Sequence, residues 1–392
     1  MNEHQAIFAP DAGVDAANQA DSVPALAAAD VSLIMPCLNE VESLPHCIAN
    51  AKAALAEIER RFGLSGEVLI ADNGSTDGSR ALAQSLGARV APVARRGYGA
   101  ALIGGCQAAA GRYLLMGDAD GSYDFRDGVA MIGRLIDGAD LCMGSRFQGG
   151  IAPGAMPWKN RYIGNPALTG VLNLFFNSGI DDAHCGIRAI TKQAFRDCGL
   201  SSSGMEFASE MVVKASLRQM RIDQVPATLS TDLRDRAPHL RPWRDGWRHL
   251  RYLLMLSPTW VFGVPAMLAL LLGSGLLAGA TAEFLWPGTL PQIGAYWTLL
   301  GSMLIAVGHL ALLLALSGHL YSIRAGYRRP THTTRLAAHF ATLETMLVSG
   351  LGMLALGTAL LIAVAYGWVS RHYQQAPSLL PPALGKIGRA HV

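Results

Sequence analysis

The sequence has no Cys-x-x-Cys pair: its six cysteines, Cys37, Cys47, Cys106, Cys142, Cys185 and Cys198, are scattered. That excludes a paired-cysteine zinc site, argues against a disulfide framework and fits reduced thiols. Residues 1–30 lack both a basic n-region and an apolar h-region, so they are not a signal peptide. Their Ala, Asp, Asn and Gln content predicts a disordered leader. The net charge is only +3, which gives nucleic-acid binding no support. Three stretches, 252–282, 284–323 and 345–370, contain no Asp, Glu, Lys or Arg. Each exceeds the ~20 residues needed to cross the hydrocarbon of a bilayer.

The last absence accounts for a hydrophobic fraction of 51%. It predicts a transmembrane domain over 259–370 with spans near 260–282, 295–320 and 343–369. Arg324, Arg328, Arg329 and Arg335 share one loop, whereas the opposite loop carries only Glu283, so the Arg-rich loop and the large N-terminal region should both be cytoplasmic. Residues 371–392 form a tail, of which 386–392 read as adapter-derived and stand outside fold reasoning. A fourth span lost from the end is an expectation.

Before the membrane, apolar runs at 31–37, 67–72, 89–93, 113–118 and 140–144 read as strands. Helical spacing at 41–61, 77–86, 99–110 and 125–136 alternates with them. This order predicts an α/β domain over 31–235 built on a mainly parallel sheet, which binds ligands at the carboxyl ends of its strands. Polar motifs sit at those ends. After the fourth strand come Asp118, Ala119 and Asp120; in extended backbone the two carboxylates would face one crevice and hold Mg2+ or Mn2+, leaving coordination sites for water and phosphate.

After the second strand, Asp72, Asn73, Gly74, Ser75, Thr76 and Asp77 crowd acceptors and hydroxyls into a turn, with Asp72 placed to bond a base or ribose. Pro36, Asn39 and Glu40 leave the first strand toward the same pocket. Arg95, Arg96 and Gly97 precede a helix start, a layout suited to anions. Arg146 and Arg188 are candidates for gripping an acceptor phosphate, with Asp182 beside Arg188 in sequence. His184 next to Cys185 finds no partner ligands at suitable spacing. Glu206 and Glu210 share a helix face. Over 236–258, Arg241, Arg244, Arg248 and Arg251 fall on one side, beside a face with Trp243, Trp247, Leu250 and Leu254, an interfacial pattern whose Arg side chains suit lipid phosphates.

Met35 to Glu40, Ala71 to Gly78, Gly97 to Ala101, Asp118-Ala119-Asp120, Gly144-Ser145-Arg146 and Cys185 to Arg188 together resemble family-2 glycosyltransferases of the dolichyl-phosphate or polyprenyl-phosphate sugar synthase type. The resemblance covers about 31–258. It implies a GT-A fold, a nucleotide-sugar donor near Asp72, a divalent metal at the Asp-x-Asp and a lipid phosphate acceptor. Asn73 stands where many relatives have Asp, and Ser122 where some mannosyl enzymes have Gln. No Gln-x-x-Arg-Trp occurs, which argues against processive polysaccharide synthases.

The expected function is inverting transfer of one hexose, from UDP-glucose or GDP-mannose, to polyprenyl or dolichyl phosphate at the cytoplasmic face. Asp120, Arg146, Arg188 and Asp182 are the candidate catalytic groups. Transfer to a lipid-diphosphate sugar or diacylglycerol stays open, as do an inactive membrane scaffold and a homo-oligomer.

Overall fold

A computed structural model describes residues 29–233, 242–286, 295–325, 327–328 and 343–370. The expected leader, Arg241 and the tail lie outside the described residues. The N-terminal part alternates β1 (Val31–Cys37), α1 (Leu44–Phe62), β2 (Gly66–Asp72), α2 (Ser79–Ser85), β3 (Arg89–Pro92), α3 (Tyr98–Ala108), β4 (Tyr113–Met116) and α4 (Asp127–Ile136). There follow β5 (Leu141–Ser145), the single turn α5 (Arg146–Gly149), α6 (Asn165–Phe176), β6 (Arg188–Thr191), α7 (Lys192–Cys198), α8 (Phe207–Leu217) and β7 (Ile222–Pro226).

The strands form one sheet in the order β3-β2-β1-β4-β6-β5-β7. All run parallel except β6, which lies antiparallel to β4 and β5. The apolar run of β1 is buried almost throughout, as a central strand covered on both faces requires. Alternation then divides its side chains: Leu33 and Met35 join the core under α1 and α4, while Ile34 joins the core under α3, α6 and α8. In α1, Pro45 sits in the first turn, apolar positions from Leu44 to Ile58 are buried, and Gly63 in the left-handed region ends the helix.

Five of the seven strands are those expected from sequence. The fourth stops earlier than expected, at Met116, so strand alternation does not place Asp118 and Asp120; a turn does.

Beyond the sheet domain, α9 (Pro242–Met255) and a π-helical turn (Thr259–Gly263) lead into α10 (Val264–Leu285), α11 (Ala295–Arg324) and α12 (Leu343–Ser370). Among the described residues Thr259–Glu283 and Tyr296–Arg324 are long and apolar enough to cross a membrane, and the described apolar part of α12 is the shorter Glu344–Ala359. Glycines let α10 and α11 approach closely: a Cβ on Gly301 would stand 3.0 Å from the Gly273 carbonyl, and one on Gly308 would stand 3.0 Å from that of Ala266.

Candidate active site

The parallel register sets Cys37 beside Asp72, and the Asn73 amide donates to the Cys37 carbonyl at 2.8 Å, so the loops leaving β1 and β2 begin together. They are zipped by side chains. Asn39, in the left-handed conformation at φ 59°, donates its amide to Ser75 Oγ at 3.0 Å and accepts the Thr76 amide through Oδ1 at 2.8 Å. The Glu40 amide donates to Ser79 Oγ at 3.0 Å, and Glu40 itself is buried. Pro36 is partly exposed at the end of β1.

Asp72 is buried and accepts the Gly74 and Ser75 amides at 3.0 Å and Arg80 Nε at 2.5 Å. Burial alone would raise its pKa, but the hydrogen bonds from Ser75, Arg80 and Gly74 outweigh it and hold the carboxyl below its ordinary value. Asp72 therefore holds its own turn, and a bound base would have to compete for its oxygens.

Asn73 explains its departure from the relatives' Asp. Its amide nitrogen donates to the carbonyls of Val93 and Arg95 at 3.1 and 2.7 Å, and its Oδ1 accepts the Gly97 amide at 2.7 Å. A carboxylate has no donor for the two carbonyls. Arg96 NH1 donates to the Asn73 carbonyl at 2.6 Å, and its guanidinium lies over Gly74, where any Cβ would collide at 2.8 Å. Together Asn73, Gly74, Arg80, Pro92, Val93, Ala94 and Arg96 line a cavity of 410 Å3, a volume on the scale of small-molecule sites.

Asp118-Ala119-Asp120 turns away at the same edge. Asp120 Oδ1 accepts from the Ser122 amide at 3.0 Å and from its hydroxyl at 2.6 Å, while the Asp120 carbonyl accepts the Leu233 amide at 2.9 Å. Ser43 from the loop after β1 donates to the Ala119 carbonyl at 2.6 Å. Asp118 pairs with the buried Tyr98 hydroxyl, whose ionisation burial pushes well above the ordinary phenol range, with the Asp118 charge adding to the shift. The donor set fits a hard cation such as Mg2+ or Mn2+. Since no three His, Cys, Asp or Glu side chains gather among the described residues, water and diphosphate would complete the shell.

Arg146, Asp182 and Arg188 are not where an acceptor would reach them. Arg146 and Asp182 form a buried fork, Nε to Oδ2 at 2.6 Å and NH2 to Oδ1 at 2.7 Å. Arg188 is 1% exposed and donates to the backbone carbonyls of Cys185 and Ala208. Where a direct phosphate grip by these arginines, and Asp182 as a reacting group, were expected, the bonds in the structure hold the segment from Asp181 to Arg188. Glu210 likewise serves structure, paired with Lys214 at 2.7 Å and accepting the Ser202 amide at 2.8 Å. Glu206 receives the Gly204 amide at 3.3 Å, and its other oxygen is buried without a partner among the described residues.

Tyr98 and Gly186 fall inside the motifs at Gly97 to Ala101 and Cys185 to Arg188 with no role assigned there, and Tyr123 falls outside every motif. The Gly186 amide donates to Tyr123 OH at 2.9 Å, and a Cβ there would lie 2.4 Å from Asp118 Oδ2. A tyrosine flanked by glycines, at Gly97-Tyr98-Gly99, was the available signal.

Residues 32–199 match the glycosyl transferase family 2 domain, and residues 316–384 match the glycosyltransferase family 2 C-terminal transmembrane region. The low-salt glycan biosynthesis hexosyltransferase Agl6 of Haloferax volcanii is 33% identical over 88% of this chain and 82% of its own length. The chain belongs to glycosyltransferase family 2. Polyprenol monophosphomannose synthase of Mycolicibacterium smegmatis is 28% identical over 50% of this chain and 76% of its own length. Among solved structures, glucosyl-3-phosphoglycerate synthase of Mycobacterium tuberculosis is similar at 19% identity and a TM-score of 0.43, over 58% of this chain and 79% of that one. With the family match and its own strand order, the sheet is the mainly parallel, Rossmann-like GT-A arrangement, and the match to the family's transmembrane region takes in the end of α11 and α12.

The sheet domain touches the apolar part of the chain. Phe175 of α6 stacks on Trp260 at 5.3 Å, and Lys214 of α8 lies 5.8 Å from the ring of Tyr327, just after α11. Tyr327, just after α11, is therefore on the catalytic domain's side. On α9, Arg244 and Arg248 are exposed, and Trp247 is 60% exposed. Well before α9 in the chain, ahead of α6, Trp158 and Tyr162 are 62% and 68% exposed, with Lys159 and Arg161 over their rings.

Proposed function

We propose that this glycosyltransferase moves one hexose, with inversion, from a UDP- or GDP-sugar to polyprenyl or dolichyl phosphate at the cytoplasmic membrane face. One observation carries the reading: the Asp118–Asp120 turn and the Asn73–Arg96 cavity open at one sheet edge of a domain fastened at Trp260 and Tyr327 to membrane-length helices. The donor's nucleoside would occupy the cavity, with its diphosphate toward Asp118 and Asp120. A divalent cation held by those carboxylates would neutralise charge on the departing diphosphate. Exposed Arg244 and Arg248 of α9, with Trp247 in the headgroup region, would gather the lipid's phosphate. Arg146, Asp182 and Arg188 act behind the site, as its fixed wall.

In the reaction an oxygen of the lipid phosphate bonds the anomeric carbon opposite the leaving group, and the carbon–oxygen bond to the diphosphate breaks with both electrons. A phosphate monoester has its second pKa near ~6, so the nucleophile is already ionised and the site needs no strong base. Positioning supplies the rate.

The test uses the full chain in lipid nanodiscs with Mg2+ or Mn2+, a panel of UDP- and GDP-hexoses, and polyprenyl phosphate, lipid-diphosphate sugar or diacylglycerol as acceptor. Labelled polyprenyl-phosphate hexose that disappears on chelation is the expected product. Transfer confined to either other acceptor, or none from any donor, overturns the reading.

A further inference from the structure

We infer that His249, on the juxtamembrane helix α9, is a positioning residue for glycosyl transfer: through Ser209 and His184 it fixes the wall against which Asp118 lies. The inference rests on reading Asp118 and Asp120 as the diphosphate end of the donor site.

His249 Nδ1 lies 2.7 Å from Ser209 Oγ, and the same hydroxyl lies 3.2 Å from His184 Nε2. The two imidazoles meet edge to face, 4.7 Å apart at 88°. Ser209 and His249 are buried. Burial, with the His249, Arg146 and Arg188 environment, pushes His184 well below the usual imidazole range, so it is neutral near pH 7 and offers one donor and one acceptor. A hydroxyl within bonding distance of both rings can donate to one and accept from the other, a specificity that apolar packing lacks.

The path ends at the site. Two residues after His184, Gly186 packs so closely that a Cβ would fall 2.4 Å from Asp118 Oδ2 and 2.6 Å from the Tyr123 ring. The Gly186 amide is tied to Tyr123 OH at 2.9 Å, and Arg188 clamps the carbonyls of Cys185 and of Ala208, the neighbour of Ser209. The chain from His184 to Gly186 thus joins the histidine pair to the wall beside Asp118. Seating α9 needs none of this, because Leu253 on the same helix is already buried in the core under α8. Buried polar groups cost stability unless bonded, and α9 is already joined to α8 by a bond between Tyr252 and Glu210, so a second, His–Ser–His path calls for a purpose of its own. Setting the Asp118 wall only when α9 is seated supplies one.

The experiment compares His249→Leu, His249→Asn and His249→Gln in the full chain in nanodiscs, with donor and acceptor as above. Asn places its amide where Nδ1 stood, whereas Gln places it near Nε2. For Leu, kcat should fall about tenfold to hundredfold, the donor KM should stay close to the parent's, and amide exchange across 181–188 should quicken. Asn should recover most of the rate and the protection, and Gln should not. Adding Ser209→Ala to His249→Leu should cost nothing further. Equal behaviour of Asn and Leu, or parental kcat and exchange in the Leu variant, overturns the inference. The exchange readout needs no substrate, so it decides even where the donor–acceptor reading fails, and that reading is judged separately by whether the parent makes labelled polyprenyl-phosphate hexose.

Discussion

At the scale of single residues, Asp120 offers a clean test of the Asp-x-Asp. Its Oδ1 accepts both bonds from Ser122, and its backbone carbonyl holds Leu233. An asparagine keeps that oxygen and that carbonyl but loses the charge. Asp120→Asn should therefore fold as the parent does, with an unchanged thermal midpoint, while turnover falls at least about a hundredfold, the range for disturbed metal sites. Near-parental turnover with either Mg2+ or Mn2+ removes the metal assignment. The carboxylates were legible in sequence because a strand followed by Asp-x-Asp is a local pattern. Their geometry was not: strand length decides whether alternation or a turn places them, and β4 stops two residues short of Asp118. The Arg146–Asp182 fork was invisible for a different reason. The partners are 36 residues apart, and nothing in a linear sequence says that a buried guanidinium has found its carboxylate there and not on a substrate.

At the scale of elements, β1 to β5 announced themselves through apolar runs; β7, which is parallel but carries Asp223 and Gln224, did not, and neither did β6. It has four residues, begins with Arg188 and runs against its neighbours, so neither composition nor period marks it. Element contacts carry their own energetics. Asp124, just before α4, accepts Asn50 Nδ2 of α1 at 2.9 Å and pairs with Arg126 at 2.5 Å. Burial would raise its pKa, but the bonds from Arg126 and Asn50 prevail and lower it to about 2. The folded value lies below the unfolded ~3.9, so this contribution is present above about pH 4 and is lost as pH falls toward the folded value. Asp124→Asn should lower the denaturant midpoint by a constant amount near neutrality, and the gap should close on acidification below about pH 4. A gap that persists at low pH, or widens, means that the carboxylate's charge does not join α1 to α4.

For the whole molecule, the question is how a soluble-looking α/β domain and an apolar bundle share one reaction. The sequence told them apart by charge alone; that they are fastened together at Phe175–Trp260 and Lys214–Tyr327 rests on contacts far apart in the chain. Those contacts constrain topology. If α10 leaves the catalytic side and α11 returns, Trp286 must lie across the membrane from Arg324, whose neighbour Tyr327 meets α8. All six native cysteines are buried, so an introduced thiol reports alone. In sealed vesicles with the catalytic domain facing outward, a membrane-impermeant maleimide should label Arg324→Cys at once and Trp286→Cys only after the bilayer is opened. Immediate labelling at both positions would place α10 and α11 on the surface instead of across the bilayer. It would also undo the argument that the Arg-rich loop and the Asp118–Asp120 turn face one compartment, where a water-soluble sugar nucleotide and a phosphate at the lipid surface can meet.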